Sequence, residues 1–100
     1  MDPVIGRAPV IAGVRGTRRT RRILTALLVP ASAPTVQTLA RLAQVRSDTA
    51  FGILSKLRHA QWVRCEHQPA LNGARARTYY QLTTHGRTHA RVLLGLTEVP

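Results

Sequence analysis

From Arg18 to Val29 the apolar residues Ile23, Leu24, Leu27 and Leu28 recur as one helical stripe, and Pro30, which disfavours helical geometry in the residue before it, closes the run. After a small-residue connector, Thr35 is placed to cap a short second helix with Val36, Leu39, Ala40 and Ala43 on one face. Gln44 to Arg46 make a turn. Ser47 and Asp48 then offer a cap and a first-turn acid to a third helix through about Ala60, whose Ala50, Ile53, Leu54 and Leu57 form its core face. The period changes to two from Trp62 to His67 and again from Thr78 to Leu82, which predicts a hairpin with a long tip around Asn72-Gly73. Thr83 or Thr84 caps a last helix through about Leu96, with Ala90, Leu93 and Leu94 among its apolar positions.

Residues 1–17 break the pattern. Pro3 and Pro9 with Gly6, Gly13 and Gly16 separate isolated apolar residues, so a flexible basic arm is expected over 1–17 and the structured domain over 18–97. The chain has 100 residues, 44% of them hydrophobic, which suits one core. Its 15 Lys and Arg against 4 Asp and Glu give a net charge of +11, and only Lys56 is a lysine. Such a field attracts polyanions. Cys65 stands alone, which excludes an internal disulfide and multi-cysteine zinc motifs and fits a reducing compartment. Arg18 to Arg22 followed by Ile23–Val29 and Ala31-Ser32-Ala33 outline a secretory signal, but the apolar run is at the short limit and removal would delete the first helix. The expectation is a cytoplasmic protein with no membrane contact.

The predicted order of three helices, two strands and a helix is α+β and mostly α. A short helix, a tight turn, an amphipathic helix and a two-stranded ribbon make a winged helix-turn-helix, completed here by a C-terminal helix expected to dimerise. Its logic suits double-stranded DNA, whose major groove admits one helix while the hairpin reaches adjacent phosphates or the minor groove. Opposite its apolar stripe the third helix shows Ser47, Asp48, Thr49, Gly52, Ser55 and Lys56, with Phe51 at the edge. Short hydroxyls hydrogen-bond to several base edges, an acid can accept from cytosine N4, and a glycine lets backbone approach closely. For phosphates the candidates are Arg46, Arg64, Arg75 and Arg77 on the turn and wing, and Arg15, Arg18 and Arg19 on the arm. Leu24, Leu28, Ala90, Leu93 and Leu94 are expected to pair two copies into a homodimer.

The run Ala50–Val63 and the string Arg75-Ala76-Arg77-Thr78-Tyr79-Tyr80-Gln81-Leu82-Thr83-Thr84-His85-Gly86-Arg87 resemble the recognition helix, wing and Leu-Thr-x-x-Gly-Arg junction of PadR-like winged-helix regulators, and MarR and ArsR types share the outline. The resemblance covers about Arg21 to Leu96 and implies a homodimeric transcriptional regulator with one recognition helix per half-site. Gln61 stands where that family has a glycine, and the start of the second helix departs from it around Pro34 to Gln37.

No enzyme is expected, because the sequence has no phosphate-binding glycine loop, no paired carboxylates and no nucleophile elbow. Cys65 and His67 share a strand face, and His85 and His89 stand at i, i+4, but without a close cysteine pair they are read as structural or surface residues, with no metal or cofactor expected. The rival readings are a winged-helix adaptor between proteins and a non-specific nucleic-acid coater. The second needs exposed aromatics, for which Trp62 and Tyr79 are the candidates.

Overall fold

The computed structural model describes residues 9–29 and 33–96. The order is β1 (Val10–Ile11), β2 (Val14–Arg15), α1 (Arg18–Leu28), α2 (Val36–Ala43), α3 (Ser47–His59), β3 (Val63–Gln68), β4 (Arg77–Leu82) and α4 (Thr84–Leu93). Three of the helices begin at threonines, two of them, Thr35 and Thr83, expected from the sequence and one, Thr17, not. Thr17, Thr35 and Thr83 each place Oγ1 to accept a backbone N–H three residues on, from Thr20, Thr38 and Gly86. The third helix differs from expectation: Arg46 is its N-cap without a side-chain bond, Ser47 is already helical, and Asp48 accepts from Thr49 N–H at 2.8 Å.

The helices α2, α3 and α4 end alike. Val45 N–H donates to Ala40 O, Trp62 N–H to Leu57 O and Leu96 N–H to Arg91 O, each across a residue in the left-handed region. Those residues are Gln44 (φ 59°), Gln61 (φ 64°) and Gly95 (φ 74°). This is the Schellman closure, usually given to glycine because a Cβ is strained there. Gln61 therefore takes a conformation that its side chain disfavours, and α4 stops at Leu93, before Leu96.

Ile23, Leu24, Leu39, Leu54, Leu57 and Trp62 are the largest fully buried side chains, so the predicted stripes of α1, α2 and α3 do converge on one core. Strands β3 and β4 pair antiparallel from Val63↔Leu82 to Gln68↔Arg77, and Asn72 and Gly73, both at positive φ, close the tip inside a Leu71↔Ala74 bridge. Val63 is buried and Cys65 half-buried, as the strand alternation implies. Burial pushes the Tyr80 phenol above its ordinary pKa, with the Cys65 thiol opposite it adding to the effect and Arg58 opposing it.

The expected flexible arm is corrected from Pro9 onward, while residues 1–8 lie outside the described residues. β1 and β2 form a hairpin turned by Ala12 and Gly13 at positive φ, and Val14 is buried in the core. A buried indole N–H needs a partner. Trp62, wholly buried, finds it in this hairpin, donating from Nε1 to Ala12 O at 3.3 Å. Gly16 lies against Leu93, where a Cβ would come within 3.0 Å of that side chain. The hairpin is thus a lid on the core.

The junction string is explained by the same corner. Thr83 N–H donates to Trp62 O at 2.9 Å, and Thr83 Oγ1 contacts Gln61 O at 2.7 Å and Gly86 N at 2.9 Å. A Cβ on Gly86 would sit 1.9 Å from Trp62 O. The first turn of α4 therefore rests on the backbone that leaves α3, and only glycine permits that approach.

Candidate nucleic-acid interface

The Gln44 closure turns the chain within three residues from α2 into α3, which leaves one long side of α3 outside the core. Ser47, Asp48, Phe51, Gly52 and Lys56 are exposed there, and Thr49 and Ser55 are half-buried beside them. Phe51 keeps 56% of its surface exposed. A glycine inside a helix costs about 1 kcal/mol relative to alanine. Among the described residues nothing requires it at Gly52: an added Cβ would meet none of their atoms within 4 Å.

A groove runs along each flank of this ridge. One, of about 510 Å³, separates α3 from the N-terminal hairpin and the start of α1, with Arg15, Arg19 and Lys56 beside Thr49 and Gly52. The other, of about 620 Å³, lies between Phe51, the first turns of α2 and the base of the wing, with Arg41, Arg75 and Arg77 on its walls. Each groove carries three cations. Among the described residues one ion pair forms, Arg46 Nε to Asp48 Oδ1 at 3.5 Å, at the exposed start of α3. Exposed as it is, this pair adds little stability in water.

The grooves bring together most, though not all, of the predicted phosphate contacts. Arg15 and Arg19 join the recognition face on one side, Arg75 and Arg77 on the other. Arg18 does not join them. It faces a different groove between α1, the end of α2 and the residues after α4, because successive residues on a helix point 100° apart. Arg64, on β3, donates to Gln81 Oε1 at 3.1 Å and lines neither groove. Sequence reasoning missed Arg41, whose signal was its polar position opposite the α2 stripe.

Two further expectations change. Leu24 and Ala90 have no exposed surface and Leu93 has 4%, so three of the five residues assigned to a dimer face belong to the core of a single copy, while Leu28 and Leu94 are partly buried against it. An apolar stripe looks the same in sequence whichever partner covers it. Trp62 is buried, which removes the better of the two stacking candidates, and Tyr79 is half-buried.

His89 stacks on Trp62 with ring centres 5.7 Å apart and meets His85 edge-on at 4.4 Å, while His67 Nδ1 lies 3.0 Å from Thr78 Oγ1 on the wing. Among the described residues no group of three or more His, Cys, Asp or Glu side chains could hold a metal ion. Nor is any helix there long and apolar enough to cross a membrane.

No protein-family model matches the sequence, and comparison with curated proteins finds no match. Solved structures do match. A MarR family transcriptional regulator from Silicibacter pomeroyi superposes with a TM-score of 0.63 at 25% identity, over 85% of this chain and 53% of that one. A second MarR family regulator from the same organism gives 0.61 at 23% identity, over 79% and 52%. The chain thus spans about half the length of these regulators. A protein from Ralstonia eutropha to which DNA binding is ascribed gives 0.58 at 20% identity, over 77% of this chain and 95% of that one. The fold is the winged helix of MarR-like regulators, with four helices and the antiparallel wing hairpin β3–β4 among the described residues.

Proposed function

We propose that the chain binds double-stranded DNA as a winged-helix transcriptional regulator, with α3 in the major groove and one phosphate backbone in each flanking groove. The observation that carries this reading is the Gly52 ridge: a helix-interior glycine with open space before it, flanked by Arg15, Arg19 and Lys56 on one side and Arg41, Arg75 and Arg77 on the other. The major groove, about 12 Å wide, takes one helix between two rows of phosphates, and cations on both flanks match those rows. In this reading Thr49, Phe51 and Ser55 face the bases, Phe51 against a thymine methyl, and the arginines fix register. The MarR name of two structural neighbours supports a regulator. The Arg-x-Tyr-Tyr-x-Leu-Thr-x-x-Gly-Arg string keeps the PadR-like subtype as part of the proposal.

Homodimerisation through α1 and α4 is not carried into the proposal, because its central leucines serve the core of one copy. The coater reading is weakened by the burial of Trp62. Selection from random duplexes, followed by competition against scrambled DNA across salt concentrations, tests the reading. The expected result is an enriched site bound at least about 1000-fold more tightly than scrambled duplex. No enrichment, or equal binding to both, would overturn it.

A further inference from the structure

A third groove, of about 790 Å³, lies between α1, the end of α2 and the residues after α4, and shares no residue with the two grooves beside α3. Its floor is apolar. Val29, Leu42 and Leu96 there keep 54%, 58% and 60% of their surfaces exposed. Its rim is cationic, formed by Arg18, Arg21 and Arg22 on the exposed side of α1. Val29 and Leu42 also line an adjoining groove towards Tyr79, whose wing side is polar, with Glu66, Gln68 and Arg77.

We infer that this groove docks an acidic amphipathic helix of a partner protein, which lays its apolar stripe on Val29, Leu42 and Leu96 and its carboxylates against Arg18, Arg21 and Arg22. Three arguments select that occupant. DNA offers phosphates to the arginines but no continuous apolar stripe to the floor, only isolated thymine methyls. A second copy of this chain would meet the groove with the same surface in a two-fold pair, setting arginines against arginines. Of the described acids, Asp48 stands at the start of α3 and Glu66 lines only the adjoining groove, so neither is among the residues around Arg18, Arg21 and Arg22. A small amphipathic anion would need a pocket that encloses most of its surface, whereas the floor residues are more than half exposed. The length also fits, since Arg18 to Val29 covers about 16 Å, three turns of helix.

The inference is independent of DNA binding, and its test keeps the two apart. A fluorescent, helix-forming peptide of about four turns, with leucines on one stripe and glutamates beside it, is titrated against the full chain. A scrambled peptide of equal composition and charge is the comparison. The striped peptide is expected to bind about tenfold more tightly than the scrambled one, and to lose at least that factor in the combined Arg18→Ala, Arg21→Ala, Arg22→Ala variant and in Leu42→Ser. Leu42 is exposed and the arginines sit at a helix N-terminus that disfavours cations, so these variants keep the fold, as circular dichroism would verify. The wing variant Arg75→Ala, whose residue lines neither this groove nor the adjoining one, should leave peptide binding unchanged. The inference is overturned if both peptides bind alike, or if the wing variant weakens the peptide as much as the rim variant, which would mark it as a DNA mimic. It is equally overturned if the chain self-associates and the peptide dissolves that pair, or if dodecanoate displaces the peptide at stoichiometric concentration.

Discussion

Gly86 at the start of α4 and Gly52 in the middle of α3 are both helical glycines, and they are glycine for opposite reasons. At Gly86 a Cβ would collide with the backbone carbonyl of Trp62, so the requirement lies inside the molecule. At Gly52 a Cβ would meet none of the described residues, so the helical penalty of glycine there has no return among them. The first residue reports on folding and the second on what approaches from outside. The same division separates two regions of the protein: the corner of Thr83, Gly86 and Trp62 is closed by hydrogen bonds and contact, while the α3 ridge is left open between cationic walls.

The sharpest way to break the comparison is to add one methyl group at each position. Gly86→Ala should destabilise the domain by at least about 3 kcal/mol, because backbone must move to admit the Cβ. For a chain of this length that lowers the melting temperature by roughly 15 °C, readable by calorimetry. Gly52→Ala should do the reverse to stability, raising it by about 1 kcal/mol. On the proposed reading it should also weaken binding to a selected duplex by about tenfold, since the methyl group occupies the space the DNA backbone or a base edge needs. A Gly52→Ala variant that is both more stable and equally tight would remove the reason for glycine there and, with it, the main support for α3 as the reader.

The walls of the ridge give a second, smaller effect. Replacing Arg15 and Arg19 together by alanine should reduce the salt slope of DNA binding by about two, and replacing Arg75 and Arg77 should do the same, because each lost phosphate contact removes about one released counterion. Both losses should be similar on selected and scrambled duplex. Arg18→Ala, one residue from Arg19 but in another groove, should leave the slope unchanged. A slope that falls equally for Arg18→Ala and Arg19→Ala would mean diffuse attraction by a basic segment instead of a seated backbone.

The contrast between Arg18 and Arg19 also marks how far the sequence could be read. The apolar stripes of α1, α2 and α3, the wing and the polar face of α3 were legible because each is a repeating pattern over two turns or several strand residues. The N-terminal hairpin was not, since strands of two residues, Val10–Ile11 and Val14–Arg15, show no period. Without that hairpin the flank of α3 has no second wall, so the groove holding Arg15 and Arg19 could not be anticipated. The leucines of α1 and α4 were legible as apolar but not as to what covers them. Trp62 was misjudged because its inward direction depends on Gln61 reversing the chain, a conformation that a glycine announces and a glutamine conceals.

That concealed reversal supplies the smallest effect. Gln61 closes α3 at φ 64°, with its carbonyl accepting from Thr83 Oγ1 at 2.7 Å and its side chain exposed. The closure needs the backbone geometry and the carbonyl, both of which glycine retains. Gln61→Gly should therefore stabilise the domain by about 1 kcal/mol through relief of left-handed strain, partly offset by the greater freedom of glycine in the unfolded chain. The gain should appear as a higher denaturant midpoint with an unchanged slope, and DNA affinity should not move, since Gln61 lines neither groove beside α3. Gln61→Ala separates the causes: it keeps the Cβ and so should show none of the gain. If alanine stabilises as much as glycine, the glutamine side chain itself is at fault and the strain at this corner is absent. The junction would then owe its stability to the Thr83 and Gly86 contacts alone.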